Sequence, residues 1–171
     1  MPGDNNIILE VARRLREPVD APVLGGIAVI LHGYARTTTD LDLYTSDRRA
    51  TDVQLRAAGA RWDADRREHI LDDVRIHTVT PDDAKHVVER TSIIDGVRVV
   101  SLKDLIAIKL FCGLGNVGRS KDIADVEELI RRVPLDKRFA GKLPPELRSA
   151  FKRLVDAVQT NERQQRSKPQ F

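Results

Sequence analysis

Val23-Leu24-Gly25-Gly26-Ile27-Ala28-Val29-Ile30-Leu31-His32-Gly33, followed after Tyr34-Ala35-Arg36-Thr37-Thr38-Thr39 by Asp40-Leu41-Asp42-Leu43-Tyr44, decides how this chain is read. Two adjacent glycines interrupt an apolar run, and a few polar residues later two carboxylates flank one leucine. In a strand, side chains alternate faces, so Asp40 and Asp42 point one way while Leu41 and Leu43 turn to a core. The rise per residue separates the two carboxylates by roughly 6–7 Å, a spacing at which they can share a hard divalent cation. Magnesium takes oxygen ligands and is commonly held by one or two carboxylates plus substrate phosphates. Glycine lets backbone approach a phosphate closely, and a helix N-terminus offers free N–H groups to an anion. Gly25 and Gly26 therefore complete a candidate nucleotide–metal site.

Working outward, Ile7, Ile8, Val11, Ala12 and Leu15 recur at helical spacing over about residues 5–16, with Asn5 or Asn6 available as N-cap and Pro18 beyond the end. Pro22 introduces a short strand ending at Gly25, and residues 26–32 read as a short buried helix. His32 reads as a hydrogen-bonded residue at that helix's end. The next strand is 40–45, then a helix over 48–58 stopped by Gly59. Strands follow at 67–71 and 74–79 about Asp72-Asp73, then a capped helix or turn over 81–90. A hairpin comes next, 91–94 with 97–100, about Asp95-Gly96. Ser101 caps a helix whose apolar face includes Leu102, Leu105, Ile106, Ile108, Leu110, Phe111 and Leu114. Gly113, Gly115 and Gly118 satisfy Gly-x-Gly-x-x-Gly formally but follow a helix, so they read as a loop and not as a dinucleotide site. A further helix covers 119–130, Pro134 ends it, and Pro144-Pro145 opens a last one.

With 171 residues and 41% hydrophobic content the chain can build one sizeable core. We expect a single domain over residues 1–160 and a basic, frayed tail over 161–171. The 29 Lys plus Arg against 26 Asp plus Glu permit a nucleic-acid partner without requiring one. The single cysteine, Cys112, excludes an intramolecular disulfide, reads as a small buried hydrophobe and argues for a reducing compartment. No signal-like start is seen, and no run approaches the ~18 apolar residues a membrane span needs. The expected location is cytoplasmic, with no membrane partner.

The Gly-Gly, the dozen or so residues after it, and the Asp-hydrophobic-Asp-hydrophobic string resemble the first motif of the nucleotidyltransferase superfamily that includes DNA polymerase beta and the kanamycin nucleotidyltransferases. The fuller string around Leu24 to His32, with Arg36-Thr37-Thr38-Thr39-Asp40-Leu41-Asp42, is similar to the bacterial branch containing the AbiEii-type toxins. The resemblance covers about residues 20–132. It implies an α/β (α+β) fold, a small mixed β-sheet flanked by helices, with helical additions at both ends. It also implies Mg2+ (or Mn2+) on Asp40 and Asp42 and a nucleoside triphosphate as substrate. The acceptor hydroxyl would belong to tRNA or protein, with a cognate antitoxin as a further partner.

The same resemblance assigns other residues. Gly25, Gly26, Arg36 and Thr39 would contact phosphates, although Arg36 reads equally well as a solvated loop charge. Lys109 lies in a segment similar to the family's second conserved helix and would neutralise the triphosphate; from the residues alone it snorkels to solvent or is aimed into a site. Arg119, Lys121 and Asp122 resemble the last motif, against a plain solvated face. The family's third carboxylate, on a later strand, is absent: His77 stands in Arg75-Ile76-His77-Thr78-Val79 where it is sought. Imidazole, with an unperturbed pKa of about 6.5, can be a substitute base, a neutral structural residue, or a mark of lost catalysis. The alternative function is a catalytically degenerate nucleotide-binding or protein-interaction module on the same scaffold.

Overall fold

The computed structural model describes residues 5–166, and the chain divides into two units between Leu105 and Ile106. The first unit holds α1 (Asn5–Leu15), β1 (Val23–Leu24), α2 (Gly25–Leu31), β2 (Asp40–Tyr44), α3 (Arg48–Ala57), β3 (Arg61–Asp63), β4 (Glu68–Leu71), β5 (Val74–Val79), α4 (Pro81–Ala84), β6 (Thr91–Ile94) and β7 (Val97–Val100). Helix α5 (Leu102–Leu114) begins there and runs into the second unit, which also holds α6 (Ser120–Arg132) and α7 (Pro145–Arg166).

The seven strands form one mixed sheet in the order β3-β4-β5-β2-β1-β7-β6. β2 sits at its centre, parallel to β5 and antiparallel to β1, and β1 in turn pairs in parallel with β7. The alternation of Asp-Leu-Asp-Leu explains this placement: Leu41 and Leu43 are fully buried while Asp40 and Asp42 are only partly covered. On the apolar side Leu41, Leu43 and Ile76 join Ile8, Val11 and Leu15 of α1, Ile27 of α2 and Leu55 of α3 in one core. Burying side chains of this size contributes about 1.5–3 kcal/mol each.

Local chemistry sets the joints. Asp47 caps α3 by accepting from the Ala50 N–H at 3.0 Å. Asp72-Asp73 and Asp95-Gly96 all take positive φ, the requirement of a two-residue hairpin turn that follows the strand twist. Of the capped helix or turn expected over 81–90, the structure has the turn: Thr80 and Asp83 form a complete capping box, and Lys85 in the left-handed region closes it. Strand β3 is an addition, since Arg61-Trp62-Asp63 shows no alternation of its own and is a strand through its pairing with β4.

In the second unit Phe151, Leu129, Val126 and Val155 are fully buried, and the Phe139 and Phe151 rings meet with centroids 5.4 Å apart. Gly113 corrects the expectation of a glycine loop. It lies inside α5, and a Cβ there would come within 2.7 Å of Ile123 Cδ1, so the missing side chain lets α5 and α6 approach. α7 continues to Arg166, past the point where fraying was expected, and residues 167–171 lie outside the described ones. Among the described residues no helix is long and apolar enough to cross a membrane.

Candidate active site

The parallel register of β2 and β5 places Asp42 beside His77 and Asp40 beside Arg75. One strand further out, β4 continues the first row, so Glu68 faces His77 from the other side. His77 Nδ1 lies 3.6 Å from Asp40 Oδ2 and 3.6 Å from Asp42 Oδ1, and Nε2 lies 2.7 Å from Glu68 Oε2. The side chains of Asp40 and Asp42 are 28% and 24% exposed, whereas that of Glu68 is 3% exposed. The front of the cluster is open to a ligand and its back is sealed.

Three carboxylates around one imidazole raise its proton affinity. The contact with Asp42 contributes most; burial opposes it, and Glu68 and the charge of Asp40 add to it, so the His77 pKa is pushed up to about 9. The histidine at the position where a third carboxylate was sought therefore sits as a positive group among negative ones at neutral pH. His32, by contrast, is lowered by burial, which outweighs its bond to the Val100 carbonyl. Its ring Nε2 is 2.8 Å from Val100 O, the structural helix-end role read from the sequence.

The glycines pack directly on this cluster. Gly25 takes φ +66, and a Cβ built there would collide with the Asp42 carboxylate, so only glycine permits this approach. A Cβ on Gly26 would fall 2.5 Å from Thr38 Oγ1. Thr38 is buried, and its hydroxyl donates to Asp40 Oδ1 at 3.3 Å. Asn5 clamps the same loop, donating to Arg36 O at 2.6 Å and accepting from Thr38 N at 3.2 Å. Thr39 Oγ1 accepts from Arg75 at 3.0 Å. Arg36 Nε reaches the adjacent Thr37 carbonyl at 3.4 Å.

The donors fit a hard cation. Asp40 and Asp42 offer oxygens from one strand face, and Gly25 leaves backbone bare against one of them. Among the described residues no group of three or more His, Cys, Asp or Glu is arranged to hold a metal ion. Two carboxylates with the remaining positions left to water and phosphate oxygens are the usual magnesium arrangement.

A second cluster forms within the helical unit. Lys109 Nζ lies 2.8 Å from both Asp122 Oδ1 and Asp125 Oδ2, and Arg119 Nε holds the other oxygen of Asp122 at 2.7 Å. Lys109 is 6% exposed, so it neither snorkels to solvent nor stands alone, and two aspartates fix its ammonium. Lys121 is exposed on α6. Most of the sequence-predicted residues thus fall into two constellations: Asp40, Asp42 and His77 on the sheet with Gly25, Gly26 and Thr39 beside them, and Lys109, Arg119 and Asp122 in the helical unit, while Arg36 and Lys121 are placed in neither.

Sequence reasoning missed Glu68 and Thr38. Glu68 was legible in principle, because a hairpin turning at Asp72-Asp73 puts residue 68 opposite residue 77. Thr38 had only its place in a polar run to mark it.

No family model and no curated protein sequence matches this chain. Solved structures do. A nucleotidyltransferase-like protein of Paracoccidioides brasiliensis is similar over 95% of this chain and 88% of its own, with TM-score 0.52 and 19% identity. A candidate nucleotidyltransferase of H. pylori matches 91% of this chain and 93% of its own, with TM-score 0.56 and 13% identity. The Helicobacter pylori protein JHP933 matches 95% and 93%, with TM-score 0.56 and 14% identity. The chain has the mixed α/β fold of nucleotidyltransferase-like proteins.

Proposed function

We propose that this chain transfers a nucleotidyl group from a nucleoside triphosphate to an acceptor hydroxyl, with release of pyrophosphate. The observation that carries the reading is the pair Asp40 and Asp42 on one face of β2, with the Gly25 backbone packed onto the Asp42 carboxylate. Asp40 and Asp42 would hold Mg2+ or Mn2+, which when bound supplies Lewis-acid stabilisation of triphosphate charge and activates the incoming oxygen. The chain's own groups do the positioning. Gly25 and Gly26 let Asp42 and Thr38 pack against bare backbone beside the phosphate position that the resemblance implies, Thr38 steadies Asp40, and His77 presents Nδ1 at the edge where the two carboxylates lie. Arg36 and Thr39 border the same loop. Lys109, Arg119 and Lys121 enter as the phosphate-neutralising charges that the family resemblance implies, with Asp122 orienting Lys109.

The acceptor we favour is tRNA or protein, in a cytoplasmic enzyme of the AbiEii-type branch with a cognate antitoxin. A second reading, a catalytically degenerate module that binds nucleotide or protein, is favoured by one observation: His77 occupies the β5 position opposite Asp42. Incubation with each α-labelled triphosphate, Mg2+ and either purified tRNA or cell extract separates the two. The expected result is label transfer by the wild type and none by Asp42→Ala. Equal behaviour of the two proteins rejects the enzyme. A Mg2+-dependent thermal shift with nucleotide, without label transfer, selects the degenerate module.

A further inference from the structure

Glu68 is the least exposed carboxylate of the sheet cluster, and its burial is peculiar. Oε2 sits 2.7 Å from His77 Nε2, yet Oε1 is enclosed with no hydrogen-bond partner. A buried carboxylate with a bare oxygen is costly. A sheet does not place one beside a half-exposed histidine for packing, because an apolar residue there would be more stable. The compensation available to Glu68 is His77 itself.

An ionised carboxylate only accepts hydrogen bonds. Glu68 therefore requires a hydrogen on Nε2 of His77 whatever the charge of the ring, and it holds the imidazole plane from behind. Nδ1 is left as the nitrogen on the Asp40/Asp42 side, 3.6 Å from each carboxylate. The three residues Asp42, His77 and Glu68 lie in one row across three adjacent strands, β2, β5 and β4, so backbone pairing fixes their order.

We propose that Glu68 is a positioning residue for the reaction: it fixes the ring orientation of His77 so that Nδ1, and not Nε2, faces the two-carboxylate edge, where the acceptor hydroxyl is oriented by hydrogen bonding to it. The Glu68–His77 pair then takes the place of the carboxylate expected on β5, with the negative charge moved back by one strand. This inference rests on the nucleotidyl-transfer reading for its acceptor but not for the ring geometry.

The test uses the full chain with Glu68→Gln, Glu68→Ala and Asp42→Ala. The hydrogen-bonded Nε2 proton of His77, assigned with His77→Gln, is expected as a slowly exchanging downfield proton resonance in the wild type. It should persist in Glu68→Gln, whose side-chain oxygen still accepts, and vanish in Glu68→Ala. In the label-transfer assay, Glu68→Ala is expected to lose about 10–100-fold in kcat with the KM for triphosphate unchanged, and Glu68→Gln to recover most of it. Matching melting curves for the two Glu68 variants exclude a folding loss; if Glu68→Ala does not fold, Glu68→Gln against Glu68→Leu carries the same comparison. Transfer that Asp42→Ala abolishes and Glu68→Ala leaves intact overturns the positioning role while the enzyme stands. An unchanged Nε2 resonance in Glu68→Ala overturns it too. Transfer by none of the proteins rejects the enzyme and this role together, and the resonance then reports on the ring contact alone.

Discussion

The two charged clusters differ in how their signs are set. On the sheet, one histidine faces three carboxylates, Asp40, Asp42 and Glu68, and the front pair is partly exposed. On the helices, Lys109 and Arg119 face Asp122 and Asp125, and the lysine is buried. An excess of negative charge open to solvent is an arrangement that gains from a bound cation. A matched set of signs in which Lys109, Asp122 and Asp125 are buried has little to gain from one, and its geometry holds helices α5 and α6 in register. The first cluster lies open for chemistry, and the second fixes the helices from which the proposed phosphate-neutralising charges are presented.

The largest effect that would break this contrast is on turnover. Asp42→Ala should cost about a thousandfold or more in label transfer, some 4 kcal/mol of transition-state stabilisation, with little change in the urea midpoint. A stability loss matching the activity loss would make the sheet cluster structural. The helical cluster should respond the other way. Lys109→Met leaves two aspartates buried without their ammonium and should cost about 3–5 kcal/mol in urea unfolding. Replacing Lys109, Asp122 and Asp125 together by apolar residues of similar volume should recover much of that, because a buried ion set is often no better than a packed core.

A third variant tests the glycine cradle. Gly25→Ala combines a positive φ with a Cβ that would displace Asp42, and should destabilise by about 2–3 kcal/mol while reducing Mg2+-dependent nucleotide binding in a thermal-shift assay. The corresponding change at Gly113, inside α5 against Ile123, should lower stability by about 1–3 kcal/mol.

The smallest expected effect is in acid and serves as a control. Burial pushes the Asp104 carboxyl up, but hydrogen bonds from Ser101, His86 and the N–H groups of Arg90 and Glu89 outweigh it and hold it below the usual value. The folded pKa is depressed, so this contribution is present above the unfolded value and is lost as pH falls through the folded one. Asp104→Asn should flatten that part of the pH–stability curve, measured by urea unfolding at successive pH values. Lys109→Met should leave the acid slope from Asp104 in place.

Much of this was written in local pattern. The alternation at 74–79 and the Asp95-Gly96 turn gave β5, β6 and β7 with the bounds observed, because period-two burial and a two-residue turn are short-range signals. Asp40 and Asp42 were equally readable. β3 was not, since three residues without alternation become a strand only by pairing. The capped helix or turn over 81–90 resolved to a single turn because residues beyond Ala84 are drawn off by other partners: His86 bonds Asp104 at 2.8 Å. Gly113 was misread because a glycine that spaces two helices looks the same in sequence as one that breaks a helix. Glu68 was overlooked because its meaning lies across a strand pair, nine positions from His77.

The two-residue strand β1 has a consequence in time. It lies between β2 and β7, and Val23 joins Val99 in parallel, so the middle of the sheet closes only when nearly all of the first unit has been synthesised. Until β7 arrives, one side of β1 and the strands behind it present open backbone, the condition under which slow-forming parallel pairings expose a nascent chain to wrong partners. The hairpin of β6 and β7, which pairs locally about Asp95-Gly96, can form as it leaves the ribosome and dock as a finished piece. The rate of that docking, and not the formation of any helix, is expected to set how long the Asp40–Asp42 strand waits for its final geometry.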